Sequence, residues 1–195
     1  MSSSPRRRRV GTSGCMRALS HRASTVRSMS FRIRPITAAD NPAMAQIIWT
    51  ALAQFDACGD GFAGQDPETR ELAAAYSRPR HAYFVAEVDD QIVGGAGVAP
   101  LAGGSADTAE LRKMYLQESA RGRGIGRALL ERCLTAARAL QFARIYLETL
   151  DSMTAARRLY AAAGFLALDQ PLGQTGHHGC NRWMLRPLHS PAQST

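Results

Sequence analysis

Cysteine is scarce: Cys15, Cys58, Cys133 and Cys180 are the four in 195 residues, and no two form a CxxC pair. This spacing excludes a zinc framework and a disulfide scaffold, and it fits a reducing compartment, so a cytoplasmic location is expected. Long apolar runs are missing as well. The stretch Ala43–Phe55 is thirteen residues long and carries Gln46 and Gln54, against roughly 20 apolar residues for a bilayer span. It reads as a core helix, and no membrane partner is expected. Aromatics make up only 7% of the chain, beside 45% hydrophobic and 21% charged residues, which is the range of an ordinary globular protein. The length suits one well-cored domain and is too short for two of typical size with a linker.

Acidic residues are absent from residues 1–29, which hold Arg6, Arg7, Arg8, Arg9, Arg17, Arg22 and Arg27. The remaining residues are nearly balanced, 17 basic to 16 acidic, so the net charge of +8 belongs to the N-terminus. Residues 1–29 are expected to form a disordered basic extension, because such a tract buries too little apolar surface to offset its ordering entropy. It resembles a transit peptide in composition but lacks the amphipathic face. A nucleic-acid arm is the second reading, and nucleic acid is expected as a partner only through this tail. A dispensable extension is favoured, since Met29 immediately precedes the first strand-like segment and would serve as a start. The domain is expected over 30–188, with a short tail at 189–195.

From Phe31 the sequence becomes periodic. Phe31–Arg34 alternates as a half-buried strand. Asp40 stands where a helix N-cap belongs, Pro42 falls in the first turn, and Met44, Ile47, Ile48 and Leu52 follow at helical spacing. Residues 56–65 read as a glycine-rich loop in which nothing needs burial, and Asp66-Pro67-Glu68 opens a helix expected to reach about Tyr76. Ala82–Glu87 and Ile92–Pro100 flank a short polar turn, which predicts an antiparallel hairpin. Gly94, Gly95 and Gly97 within it mark a bulge or a close approach. A strand over Ala109–Leu116, a helix over 126–140 and a strand over Ala143–Leu150 form a unit expected to give a parallel pair. A helix over Met153–Ala163 ends at Gly164, and strands follow at Phe165–Leu168 and Arg182–Leu188. The order predicts a mixed α/β sheet.

The densest chemical signal is Arg121-Gly122-Arg123-Gly124-Ile125-Gly126-Arg127, between a strand and a helix. Glycines let the backbone approach a ligand, and the N–H groups opening a helix form an anion site. The three arginines suit a pyrophosphate better than a carboxylate. No Gly-Lys-Ser/Thr follows, which excludes a P-loop, and Arg127 replaces the third glycine of the dinucleotide fingerprint. Glu148 nevertheless stands at about the distance expected of a ribose-binding acid, so that reading stays open. A glycine-rich turn with solvated arginines is the plainer alternative.

With Glu110-Leu111-Arg112-Lys113-Met114-Tyr115-Leu116 before this loop, and Leu159-Tyr160 and Gly164-Phe165 after it, the chain resembles the GNAT superfamily of acetyl-coenzyme A-dependent N-acetyltransferases. The resemblance covers about residues 30–188. It implies a six- or seven-stranded mixed sheet, mostly antiparallel, with flanking helices and a central parallel pair, here 109–116 and 143–150, that splays to admit the pantetheine arm. It implies acetyl-CoA as co-substrate, held by Met114, Tyr115 and Leu116 along the strand. Arg121, Gly122, Arg123, Gly124, Ile125, Gly126 and Arg127 would surround the pyrophosphate, and Met153 and Ala156 would line the channel. Many members carry Asn where Met153 stands, and Met153 cannot make the same polar contacts. Tyr160 falls where the family often has a tyrosine beside the coenzyme sulfur.

The implied reaction moves an acetyl group to a primary amine of a small molecule or peptide. A lysine-like amine is mostly protonated at neutral pH, so a base must take a proton. Glu110 is the candidate base and Tyr160 the candidate acid for the leaving thiolate. Glu110 as a strand-end carboxylate paired with Arg112 or Lys113, and Tyr160 as a core residue, are the structural alternatives. A non-catalytic acyl-CoA sensor of the same fold, or transfer of another acyl group, is the alternative function. No metal is expected: His177, His178 and Cys180 lack partners nearby in sequence, and their loop is either a wall of the acceptor pocket or a connection. Both monomer and homodimer fit.

Overall fold

The computed structural model describes Met1 and residues 30–188; the rest of the basic extension and the tail 189–195 lie outside the described residues. Seven strands follow the alternation read from the sequence: β1 (Phe31–Pro35), β2 (Ala82–Val88), β3 (Gln91–Pro100), β4 (Thr108–Leu116), β5 (Arg144–Thr149), β6 (Leu166–Leu168) and β7 (Arg182–Pro187). They form one sheet in the order β1-β2-β3-β4-β5-β7-β6. Neighbours are antiparallel except β4 and β5. The period of two sends Phe84, Ala86 and Val88 to one face and Tyr83 and Val85 to the other, so the sheet separates two apolar cores.

Helix α1 (Asn41–Ala53) covers one face with Met44, Ile47, Ile48 and Leu52. Helix α3 (Ile125–Ala139) covers the other with Leu129, Leu130, Cys133 and Leu134, all essentially inaccessible to solvent. Each of those leucines contributes about 1.5–3 kcal/mol by leaving water. Helix α4 (Thr154–Ala162) follows β5 and ends before Gly164, whose φ of +85° is the left-handed conformation expected of a helix-terminating glycine.

Two expectations need correction and a third is met only in part. The helix anticipated over 66–76 is a 3-10 turn, Pro67–Arg70, followed by a single-turn helix α2, Leu72–Ala75. Glu71 leaves helical geometry between them at φ −132°, ψ 41°. Asp40 holds the N-cap position of α1 as expected but makes no side-chain capping bond, because its carboxylate points back: it accepts the Thr37 N–H at 2.8 Å and both ends of the Arg34 guanidinium at 2.7 and 2.9 Å. Loop 56–65 buries Ala57 and Ala63 and packs Phe62 on the α1-side core, so it is more than a solvated connection.

The β3 glycines serve both roles foreseen. The β3–β4 register shifts between Gly95 and Gly97, and a Cβ on Gly97 would stand 2.4 Å from the Tyr83 ring and 2.7 Å from the Tyr76 ring. Opposite this shift, Lys113 adopts φ +49°. The extra residue lets Arg112 and Lys113 both reach the α1 face, whereas Met114 and Leu116 return to the α3 face.

Candidate active site

The parallel pairing of β4 with β5 is short: Thr108 faces Arg144, Ala109 faces Ile145 and Glu110 faces Tyr146. Among the described residues the ladder ends there. From Leu111 to Leu116 β4 is paired with β3, and from Leu147 to Thr149 β5 is paired with β7. The strands therefore diverge toward their C-terminal ends, leaving one edge of β4 without a ladder partner. Because the pair is parallel, both following connections emerge at the open end, and both lead into helix N-termini, those of α3 and α4.

The α3 connection is built for close approach. Gly122 and Gly124 have φ of +73° and +81°, and a Cβ on either would meet nothing within 4 Å, so the backbone there is both left-handed and open. Gly124 is the N-cap of α3 and supplies no side-chain cap. The first i to i−4 bond is Ala128 N–H to Gly124 O, at 3.0 Å, so the N–H groups of Ile125, Gly126 and Arg127 precede the helical ladder and are available to an anion. Gly126 packs closely: a Cβ there would lie 3.3 Å from the Leu116 side chain, 3.5 Å from Leu159 and 3.7 Å from Met114.

Arg121, Arg123 and Arg127 are exposed around this turn. Arg121 leans toward α1, donating to the Gln54 side-chain oxygen at 2.6 Å and to the Leu116 carbonyl at 3.2 Å. Met114 and Leu116 pack against the α3-side core, while Tyr115 turns to the α1 side. Met153 precedes α4, its sulfur accepting the Thr149 hydroxyl at 3.6 Å, and Ala156 is half-buried against the α3-side core.

Glu110 stands at the apex of the divergence, only 2% exposed, and lines a pocket of about 50 Å³ with Arg112, Tyr115, Glu148, Met153 and His177. Its Oε2 has no hydrogen-bond partner among the described residues, and Arg112 Nε lies 3.4 Å away as an ion-pair neighbour. Burial pushes the carboxyl up to about 7, against the opposing pull of Arg112 and His177. Glu148 accepts hydrogen bonds from Tyr146 at 2.6 Å and Thr175 at 3.0 Å. The Arg112 ion pair is the structural alternative foreseen for Glu110, and Arg112 is shared: it also pairs with Glu68 at 3.1 Å, while the buried Lys113 ammonium pairs with Asp66 and with Glu68.

Tyr160 is 6% exposed and packs against Phe165 at 5.8 Å between ring centroids, within the α3-side core. Burial pushes its hydroxyl well above the ordinary tyrosine value, so it remains a proton donor. Replacing it by Phe is expected to lower the maximal rate and leave coenzyme affinity near wild type. A wild-type rate in steady-state kinetics would reduce Tyr160 to packing.

The sequence did not single out the pocket's ionic framework. His177 donates or accepts at 3.1 Å with Asp66, across 111 positions of chain, and its other ring nitrogen lies 3.9 Å from Glu110. His178 turns away, its Nδ1 3.1 Å from the Gly176 carbonyl. Loop 56–65 and the loop before β7 meet directly: the Gly179 N–H donates to the Gly61 carbonyl at 3.2 Å. No local pattern announces such contacts. Among the described residues no cluster of three His, Cys, Asp or Glu side chains is placed to hold a metal, and no helix is long and apolar enough to cross a membrane.

The seven-stranded sheet thus opens between its parallel strands beside a left-handed glycine turn. The chain belongs to the acetyltransferase (GNAT) family, whose profile matches residues 44–165. A relative from Escherichia coli K12, the uncharacterized N-acetyltransferase YjgM, is 41% identical over 157 residues, covering 80% of this chain and 94% of its own. Among solved structures, a GNAT-family acetyltransferase of Staphylococcus aureus Mu50 has a TM-score of 0.73 at 20% identity, covering 82% of this chain and 100% of that one. A GNAT superfamily phosphinothricin acetyltransferase of Sinorhizobium meliloti, solved in complex with AcCoA, has a TM-score of 0.67 at 22% identity, covering 86% and 93%. The seven-stranded fold is thus that of this family, and the chain is an N-acetyltransferase by family.

Proposed function

We propose that this protein transfers the acetyl group of acetyl-CoA to a primary amine of a small molecule or peptide. The observation that carries the reading is the β4–β5 ladder ending at Glu110, with an open left-handed glycine turn at the far end of the gap. The unladdered edge of β4 suits the amide-bearing pantetheine arm, which needs main-chain hydrogen bonds such as those of Met114 and Leu116, with Tyr115 between them on the same strand. The turn and the first N–H groups of α3 suit a diphosphate, with Arg121, Arg123 and Arg127 supplying positive charge from the surface. Met153 and Ala156 line the α4 side. These residues fit the coenzyme, which supplies an activated thioester.

Glu110 in its ionised form takes a proton from the ammonium of the acceptor, and Tyr160 gives one to the departing sulfur. Each role is of the kind that contributes roughly 10²- to 10⁴-fold; holding the two substrates together contributes at least as much. Glu110 and Glu148 face the acceptor side, while Arg112 and Lys113 are committed to acids, so the pocket complements a cationic amine. A volume of about 50 Å³ suits a narrow aminoalkyl end. Residues 30–188 are the working domain in this reading, in a cytoplasmic protein, and the basic extension is dispensable.

The test is release of coenzyme thiol from acetyl-CoA in the presence of a panel of amines, including diamines, amino acids and peptides. Amine-dependent thiol release is expected, with aminoalkyl compounds ahead of amino acids. Coenzyme binding without turnover on any amine would favour the sensor alternative.

A further inference from the structure

His177 lines the same pocket without a part in the mechanism above, and its surroundings give it one. Its side chain is 9% exposed and is held between two carboxylates on opposite sides of the ring. On the outer side Nε2 lies 3.1 Å from Asp66 Oδ2. Burial raises the Asp66 carboxyl, but the bond to His177 and the Lys113 charge outweigh it and hold it down at about 2. Asp66 is therefore an acceptor only, so the hydrogen on this bond is on Nε2, and in the neutral form of the ring Nδ1 carries the lone pair. On the inner side Nδ1 lies 3.9 Å from Glu110 Oε1. This exceeds a direct hydrogen bond and is within the span of one bridging water or a small side-chain rotation. The main chain at His177 is tied down as well: its N–H donates to the Thr175 hydroxyl at 3.2 Å, and Thr175 in turn donates to Glu148 at 3.0 Å.

We propose that His177 is a positioning residue for the catalytic base: oriented by Asp66, it presents Nδ1 to Glu110 and receives the proton that Glu110 takes from the acceptor. This rests on the reading of Glu110 as the base. The acceptor N–H bond breaks as the Glu110 O–H bond forms. That O–H bond then breaks as the His177 Nδ1–H bond forms, leaving Glu110 ionised and an imidazolium between two carboxylates. The proton on Nε2 leaves for water at Asp66, which lines an open cleft of about 550 Å³ with Glu68, Glu71 and Arg112. Once the product has left, Nε2 regains a proton from that water as Nδ1 gives its own to water in the vacated pocket, which restores the starting tautomer. The path gives a buried base an exit that does not cross the acceptor.

Other groups also act on this pair. Arg112 and Lys113 from β4 favour the ionised carboxylate, whereas Glu148 from β5 opposes it. Asp66 and Glu68 come from the segment before α2. Tyr76 and Cys180 are neutral neighbours, their acidity suppressed by burial.

The experiment compares full-length wild type, His177→Gln, His177→Ala and, as a control outside the pocket, His178→Asn. Thermal melting and coenzyme titration check that each is folded and binds. His177→Gln is expected to lower the maximal rate of amine-dependent thiol release about 10- to 100-fold and to displace the rising limb of its pH profile, while His178→Asn keeps both. Added imidazole should restore part of the rate in His177→Ala, an effect that lost packing would not produce. Wild-type profiles in His177→Gln, or no imidazole effect in a folded His177→Ala, would overturn the proposal. A separate arm needs no acceptor: nitrogen NMR of the wild type should show hydrogen on Nε2 of His177 and a resonance of Nδ1 that responds to Glu110→Gln. Hydrogen on Nδ1, or no response, refutes the geometry even if no amine is turned over. Failure of every amine with the NMR result intact would instead count against the transferase reading.

Discussion

Replacing Glu110 by Gln is expected to lower the maximal rate of acetyl transfer by roughly 10²- to 10⁴-fold, the range of a lost general base, with little change in coenzyme affinity. The substitution keeps the volume and removes only the charge that accepts the proton. The wild-type rate should rise through pH 7, because the base works ionised and its carboxyl titrates at about 7. The variant should lose that rise. Stability moves the other way. A glutamate in the unfolded chain ionises near 4.5, so between 4.5 and about 7 the folded state binds more protons than the unfolded state. Its contribution to stability therefore falls as pH rises through this window. Glu110→Gln should melt higher than wild type at pH 8, with a smaller difference at pH 5. Unchanged kinetics together with an unchanged pH profile would leave Glu110 a buried structural carboxylate.

Gly124→Val is expected to weaken coenzyme binding at least tenfold and up to a hundredfold or more, measured by isothermal calorimetry. The reason is not a clash with neighbouring side chains. A Cβ at Gly124 meets nothing within 4 Å, so no neighbour is pushed aside. The cost arises in the backbone: φ of +81° is strongly unfavourable for a β-branched residue. A non-glycine residue held there costs about 1–3 kcal/mol. The turn relieves that strain by moving the N–H groups that open α3 away from the diphosphate. The protein should still fold, since α3 is anchored by Leu129, Leu130 and Leu134. Wild-type affinity in a folded Gly124→Val would remove the diphosphate site from the account.

The sheet was legible because alternation and helical spacing are local signals. Tyr83 and Phe84 fall on opposite cores as their order requires, and the stripe Leu130, Cys133, Leu134, Ala137 on α3 is buried as its spacing predicts. The glycine turn was legible for a similar reason, since Gly122 and Gly124 stand where a tight strand-to-helix turn needs positive φ. The segment 66–76 was misjudged because its capping pattern is helical, whereas the segment is tied into the pocket. Asp66 and Glu68 are drawn to Lys113, Glu68 reaches Arg112 as well, and the backbone bends at Glu71 to allow it. The His177 loop is legible as a wall of the acceptor pocket, which His177 lines, but the partners of the ring are not. Its meaning depends on Asp66 and Glu110, which are distant in sequence and meet only when two loops close over the end of the parallel pair.

The central claim is that the gap between β4 and β5 is the seat of a coenzyme, and a crystal structure of the protein with coenzyme A tests it most directly. The pantetheine arm should lie along Leu111–Leu116, with the diphosphate on the N–H groups of residues 122–127 and the sulfur directed toward Glu110. A coenzyme bound elsewhere, or strands 111–116 and 147–149 joined by a continuous ladder with the turn blocked, would contradict the account.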